Sequence, residues 1–403
     1  MEKPLKGLKA IELGTYVAGP ACARLLADWG CDVIKVESPK GDALRRVGFN
    51  TKCPTDPEEN PCFDLSNMNK KGIVVNLKTE DGLRIMDKLL EQADIFITNN
   101  QTKALRKMEL DYDSVKKKYP KLIYAQSVGY GEKGPLKDTP GFDFTCYYAR
   151  GGLLGTLAEK DTSPLNPVPQ FGDNQVAADL AAGILASLYE RTKTGKGDKV
   201  TVSLYHRAIY DFNLTVTSSQ YGFKYPISRK DAANPFLNSY PTKDNRWIQL
   251  CCPEYDWKFP TVMKALGRSD LIDNKDLNNI KAITGHTHVM IQIIEEEMKK
   301  RNVDEWVEIF RKYDLPCDKA YLWEEILDDP QALANGFLHE MHYENGHVRK
   351  LVDTPVRFSN MDSLEHRRGP KFGENTKEVL EDLGYSADEI NRFSENHVIN
   401  MGS

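Results

Sequence analysis

Five short apolar runs alternate with helical patterns through the first half of the chain, and this alternation restricts the fold more than any other feature. The runs are 8–13, 32–37, 72–77, 94–98 and 122–127. Helical spacing fills 21–29, which stops at Gly30, and 79–92. Short Ile- and Val-rich strands parted by helices imply an α/β fold built on a parallel, doubly wound open sheet. In such a sheet the ligand crevice lies at the carboxyl ends of the strands. The loops 14–20, 37–42, 98–102 and 128–143 are therefore expected to converge on one site. A dinucleotide site is poorly supported there. Gly14 and Gly19 sit at the first strand-to-helix turn and Glu37 ends the second strand, but position 16 is Tyr, where the fingerprint needs its middle glycine.

One carboxylate stands out where a loop meets a helix. Pro167-Val168-Pro169 argues for extended backbone through 167–172, and an Ala- and Leu-rich helix follows. Asp173 then falls near the N-cap, beside free N–H groups and the positive end of the helix dipole. Gly172 leaves room for another molecule to approach. Two readings fit these residues: an ordinary capping Asp, or a nucleophilic carboxylate kept ionised and facing a cleft.

Composition narrows the class. At 403 residues, 40% hydrophobic and 28% charged, the chain is long enough for two or three domains and has an ordinary globular balance. A net charge of -5 gives no electrostatic reason to expect nucleic acid or a membrane surface as a partner. No apolar run reaches the length of a membrane span, and no apolar signal segment follows the N-terminal residues, so the expected location is cytoplasmic. The eight cysteines are scattered without a Cys-x-x-Cys pair, as in a reducing compartment. His286-Thr287-His288 lacks nearby partners, and no metal site is expected. The second half changes character. Turn formers and aromatics crowd residues 224–245, a strand pattern covers 247–252, and helical patterns run to about residue 335 and return at 376–393.

Taken in order, several motifs resemble those of the class III coenzyme A transferase family, which contains the formyl-CoA and carnitine-CoA transferases. They are Gly14 to Pro20, Val33 to Asp42, Asn69 to Lys78, Gly129 to Pro135, Pro140 to Asp143, Gly172-Asp173, Thr194 to Leu204, Asp329-Pro330-Gln331 and Gly373 to Leu380. The wording of 195–204 and the stretch Asn234-Pro235-Phe236 are most similar to the branch acting on 2-hydroxy acids, such as 2-hydroxyisocaproate and phenyllactate.

The resemblance implies an open α/β domain assembled from both chain ends, with residues 1–204 as its first part, a linker at 205–230, a smaller α+β domain at 231–325 and a returning segment at 326–403. It also implies an interlocked homodimer. Asp173 matches the family's nucleophile. Val17, Ala18, Asn76, Leu77, Lys78, Asn99, Asn100 and Lys107 match coenzyme A contacts, and Asp143 matches an acidic position near the active site. Coenzyme A thioester is implied as a substrate, with no tightly bound cofactor, because every step is acyl transfer between carboxylate and thioester. Two departures from the formyl-CoA pattern are visible. Position 17 is Val rather than Gln, and the Gly-rich lid expected after about residue 230 is missing, which shifts the expected selection of the acceptor acid onto the apolar segment around Phe236. A racemase acting on 2-methylacyl-CoA shares the fold, but its second base is a His where this chain has Phe142.

Overall fold

The computed structural model describes residues 3–361 and 366–402, so Met1, Glu2, Ser403 and the span 362–365 of the expected segments lie outside the described residues. Twelve strands occur among the described residues. Six pair in parallel: β1 (Lys9–Leu13), β2 (Asp32–Glu37), β3 (Lys71–Val75), β4 (Ile95–Thr98), β5 (Ile123–Val128) and β6 (Lys199–Ser203). Three others, β7 (Ser239–Pro241), β8 (Trp247–Leu250) and β9 (Cys317–Lys319), form an antiparallel sheet. A hairpin of β10 (Leu338–His342) and β11 (Val348–Val352) follows, and β12 (Ile399–Asn400) pairs antiparallel to β3. The large sheet runs β12-β3-β2-β1-β4-β5-β6. Its order reverses between β1 and β4, the point where such sheets open a crevice.

Side-chain alternation along each strand builds two cores. Ile11, Phe96 and Tyr124 point to one face, where Ile85, Met86 and Leu89 of helix α2 (Glu80–Glu91) meet Val379, Leu380, Ile390 and Phe393 from the end of the chain. Ala10, Ile95, Ile97 and Ala125 point to the other. There helix α1 (Ala18–Asp28) and helix α3 (Phe171–Thr194) supply Cys22, Leu26, Ala177, Leu180 and Ile184. Small residues let α3 lie close to the sheet: a Cβ on Gly183 would sit 2.4 Å from Val200 Cγ1. β6 was not among the sequence-predicted strands. Its Lys199, Val200, Thr201 and Val202 are only half-buried at the sheet's edge, which leaves a weak apolar signal.

Contacts divide the chain into two units. The first comprises 1–154, 166–218 and 331–403, and the second comprises 155–165 and 219–330. The second has its own core, with Phe236, Tyr240, Ile248, Phe259, Ile294 and Phe310 fully buried between β7–β9 and helices Tyr255–Leu266, Thr287–Met298 and Val303–Lys312. Among the described residues no helix is long and apolar enough to cross a membrane.

Candidate functional site

Helix α3 starts two residues earlier than the prolines suggest. Gln170 adopts the left-handed region at φ 71, the helix begins at Phe171, and Asp173 stands in the first turn rather than at the cap. The capping is tertiary. Asp143, 5% exposed, accepts the Gly172 N–H on Oδ1 at 3.1 Å, and the amides of Gln170 and Phe171 are directed at the same carboxylate. Its other oxygen, Oδ2, is buried without a hydrogen-bond partner. Gly172 serves this packing, not the approach of a ligand: a Cβ there would lie 2.3 Å from Tyr147 Cγ and 2.5 Å from Asp143 Oδ1.

The electrostatics also correct an expectation. A helix N-terminus alone favours an ionised Asp173. Burial opposes this and pushes its carboxyl up to about 7, with the negative charge of Asp143 adding to the rise. Asp143 is itself raised to about 6 by burial, against the three backbone donors. The two carboxylates interact, so the apparent values belong to the pair.

Asp173 borders a cavity of about 230 Å³ whose walls come from 15–18, 99–102, 127–129 and 137–142, with Leu204. Three of the four expected loops thus converge at the carboxyl ends of β1, β4 and β5. The fourth, 37–42, supports the site from behind, where Asp42 Oδ1 accepts the Tyr16 N–H at 2.9 Å. Tyr16 is held in the left-handed region at φ 60, a cost of about 1–3 kcal/mol for a residue with a side chain. Its ring meets that of Phe142 edge-on, with centroids 5.6 Å apart.

Of the expected contacts, Val17, Ala18, Asn99 and Asn100 are brought to this cavity with Asp173. The Val17 side chain turns inward against Leu44 and Phe63, leaving its backbone at the entrance to α1. Asn99 clamps the loop: its Oδ1 accepts the Thr15 N–H at 3.0 Å and its Nδ2 donates to the Thr15 carbonyl at 2.7 Å. Asn100 Nδ2 donates to the Leu13 carbonyl at 3.1 Å. Asn76, Leu77 and Lys78 do not line this cavity; they turn from β3 into α2, with Leu77 packed on the core and Lys78 exposed. Lys107 is also exposed, at the end of helix Thr102–Arg106.

Phe236 and Tyr240 belong to the core of the second unit. Both are fully buried, and Phe236 stacks on Tyr255 at 4.3 Å, so the expectation that the segment around Phe236 selects the acceptor is overturned. Tyr221, Phe223 and Tyr225 remain exposed. Sequence reasoning missed Tyr16, Asp42 and Lys137. Lys137 is the one cation among the described lining residues, and only its place in a predicted site loop hinted at it. It also missed a group formed by His339, Asp353 and His366, whose candidate ligand atoms lie within 4.8 Å of one another. The two imidazoles stack in parallel at 3.5 Å, a geometry that does not aim both rings at one ion, and Arg357 holds Asp353 Oδ2 at 2.9 Å.

Fold and site together define an α/β protein with a cavity-facing carboxylate at the switch point of its sheet. The chain belongs to CoA-transferase family III, whose model matches residues 5–376. It is 47% identical over 388 residues to the cinnamoyl-CoA:phenyllactate CoA-transferase of Clostridium sporogenes, covering 95% of this chain and 94% of that protein. It is 44% identical over 395 residues to the (R)-2-hydroxy-4-methylpentanoate CoA-transferase of Clostridioides difficile, covering 98% and 99%. A CAIB/BAIF family protein from Brucella suis superposes with a TM-score of 0.81 at 28% identity, over 95% of this chain and 100% of that one.

Proposed function

We propose that this enzyme moves coenzyme A between an acyl-CoA and a 2-hydroxy carboxylic acid through a covalent intermediate on Asp173. The observation that carries the mechanism is Asp173 in the first turn of α3, bordering the cavity that Val17 and Ala18 also line. In its ionised form Asp173 attacks the donor thioester carbonyl, expelling coenzyme A thiolate and leaving a mixed anhydride. The thiolate attacks the aspartyl carbonyl and releases the donor acid, giving an aspartyl-CoA thioester. The acceptor carboxylate then attacks that carbonyl and displaces the thiolate. Attack of the thiolate on the acceptor carbonyl yields the new thioester and frees Asp173. Each addition places negative charge on a carbonyl oxygen, and the amides of Val17 and Ala18 at the entrance to α1 are the donors we assign to it.

The names of the Clostridium sporogenes and Clostridioides difficile relatives support a 2-hydroxy acid derived from Leu or Phe as acceptor. The cavity agrees in chemistry: it offers Tyr16, Phe142 and Leu204 but, among described lining residues, only Lys137 as a cation. A second carboxylate would remain unpaired there, which is costly. We also read the protein as a cytoplasmic, interlocked homodimer. Free cysteines throughout the chain support the first part, and the exposed Leu214, Tyr210 and Tyr221 support the second. The deciding experiment incubates purified protein with an acyl-CoA donor and a panel of acids, reading new CoA esters by mass. Absence of exchange with every 2-hydroxy acid would refute the proposal.

A further inference from the structure

Two lysines are buried beneath the loop that enters α1. Lys35 lies in β2 and Lys70 immediately precedes β3, and the side chains of both are sealed from solvent. Burying an ammonium is costly unless it is paired and hydrogen-bonded. Lys35 Nζ donates to Glu12 Oε1 at 2.8 Å and to the Gly14 carbonyl at 3.2 Å, and pairs with Asp42 Oδ2 at 2.8 Å. Lys70 Nζ lies 2.7 Å from Glu12 Oε2, 2.8 Å from the carbonyls of Pro20 and Ser66, and 3.0 Å from Asn67 Oδ1. Two cations thus balance two carboxylates inside one closed cluster.

Stability alone is a weak reason for such a cluster, since apolar residues of similar volume often replace buried ion pairs without loss. What the charges add is a grip on one loop at three points. Lys35 holds the Gly14 carbonyl, Asp42 holds the Tyr16 amide, and Lys70 holds the Pro20 carbonyl. Between those points stand Val17 and Ala18, at the wall of the Asp173 cavity.

We propose that Lys70, together with Lys35, is a positioning residue for the transfer reaction, fixing the Gly14–Pro20 loop so that the Val17–Ala18 amides meet the oxyanion. This rests on the reading of Asp173 as nucleophile and of those amides as oxyanion donors. The charge on Lys70 is open to titration. Burial pulls its pKa down to about 8, Glu12 holds it partly up, and Lys35 pushes it further down. The groups facing it are Glu12 on β1, Lys35 on β2, Asp42 after β2 and Cys22 on α1. Burial drives the Cys22 thiol well above its usual range, so it stays neutral through this window. Loss of the Lys70 proton leaves fewer donors for four acceptors and slackens the loop.

The test uses the full chain with Lys70→Met and with the charge-balanced pair Lys70→Met/Glu12→Gln. Folding is read by thermal melting, coenzyme A binding by calorimetry, and the aspartyl adduct by mass in single turnover. A folded variant should bind coenzyme A within about threefold of the parent yet form the adduct roughly 10- to 100-fold more slowly. The parent should lose rate above about pH 8, and the charge-balanced variant should lack that alkaline limb. An adduct rate within about twofold of the parent, or an unchanged alkaline limb, overturns the proposal. If neither variant folds, a parent rate that stays flat from about pH 7 to 9.5 overturns it instead. Asp173→Asn run alongside separates the two readings. Activity in that variant refutes the nucleophile, whereas an inactive Asp173→Asn with a fast Lys70→Met refutes only the positioning role.

Discussion

The proposed nucleophile must be ionised to attack, yet it is held where ionisation is expensive. Asp173 sits at about 7 and its neighbour Asp143 at about 6, both raised by burial. Two consequences can be measured. In the rate profile, kcat/KM should fall as pH drops below about 7, and Asp143→Asn should move that acid limb to lower pH by removing the neighbouring charge. A limb that stays put or moves upward would contradict the coupling. In stability the sign is opposite. A carboxyl raised in the folded state contributes stability that is present below its unfolded value of 3.8 and is lost as pH rises through about 7. Asp173→Asn should therefore melt higher than the parent above pH 7 and converge with it below about pH 4, while abolishing transfer. Hydroxylamine applied after acyl-CoA should label the peptide containing Asp173 in the parent alone; labelling elsewhere would move the nucleophile.

At the scale of elements, the start of α3 is where sequence reasoning and structure part. Pro167 and Pro169 correctly mark irregular backbone, but no local signal reveals that Gln170 turns left-handed or that Asp143, 29 residues before Gly172, caps the helix. Gly172→Ala tests this junction. The new methyl meets Tyr147 and Asp143 at under 3 Å, so the variant should lose about 1–3 kcal/mol in denaturant unfolding and also lose transfer activity. Unchanged stability would mean that the junction yields easily. The entrance to α1 follows the same logic. Gly14 and Pro20 identify a strand-to-helix turn, yet the grip of Asn99 and Asp42 on its backbone comes from other strands. The positions expected to touch coenzyme A divide accordingly, with 17, 18, 99 and 100 on this cavity and 76–78 and 107 outside its walls.

For the whole molecule, acceptor choice is the sharpest measurement. The ratio of kcat/KM for 2-hydroxyisocaproate or phenyllactate over oxalate or succinate should be well above one, because the described walls hold a single cation. A preference for dicarboxylates would remove the acceptor assignment and leave the transfer chemistry standing. Deuterated water separates transfer from racemisation: acyl-CoA without acceptor should gain no deuterium at its α-carbon, since Phe142, 56% exposed, stands where the resemblance to racemases implies a second base and cannot carry a proton. The alternating apolar runs were enough to specify a parallel, doubly wound sheet, because strand and helix periodicities are local and a buried parallel strand must be apolar on both faces. Ordered motifs put forward Asp173, which the structure places on the cavity wall. Tertiary structure alone decided the rest. It set the raised pKa of Asp173, the inward burial of Phe236, the tertiary cap from Asp143 and the paired lysines beneath the site. Each of these depends on which distant groups share a low-dielectric interior, and spacing along a chain carries no record of that.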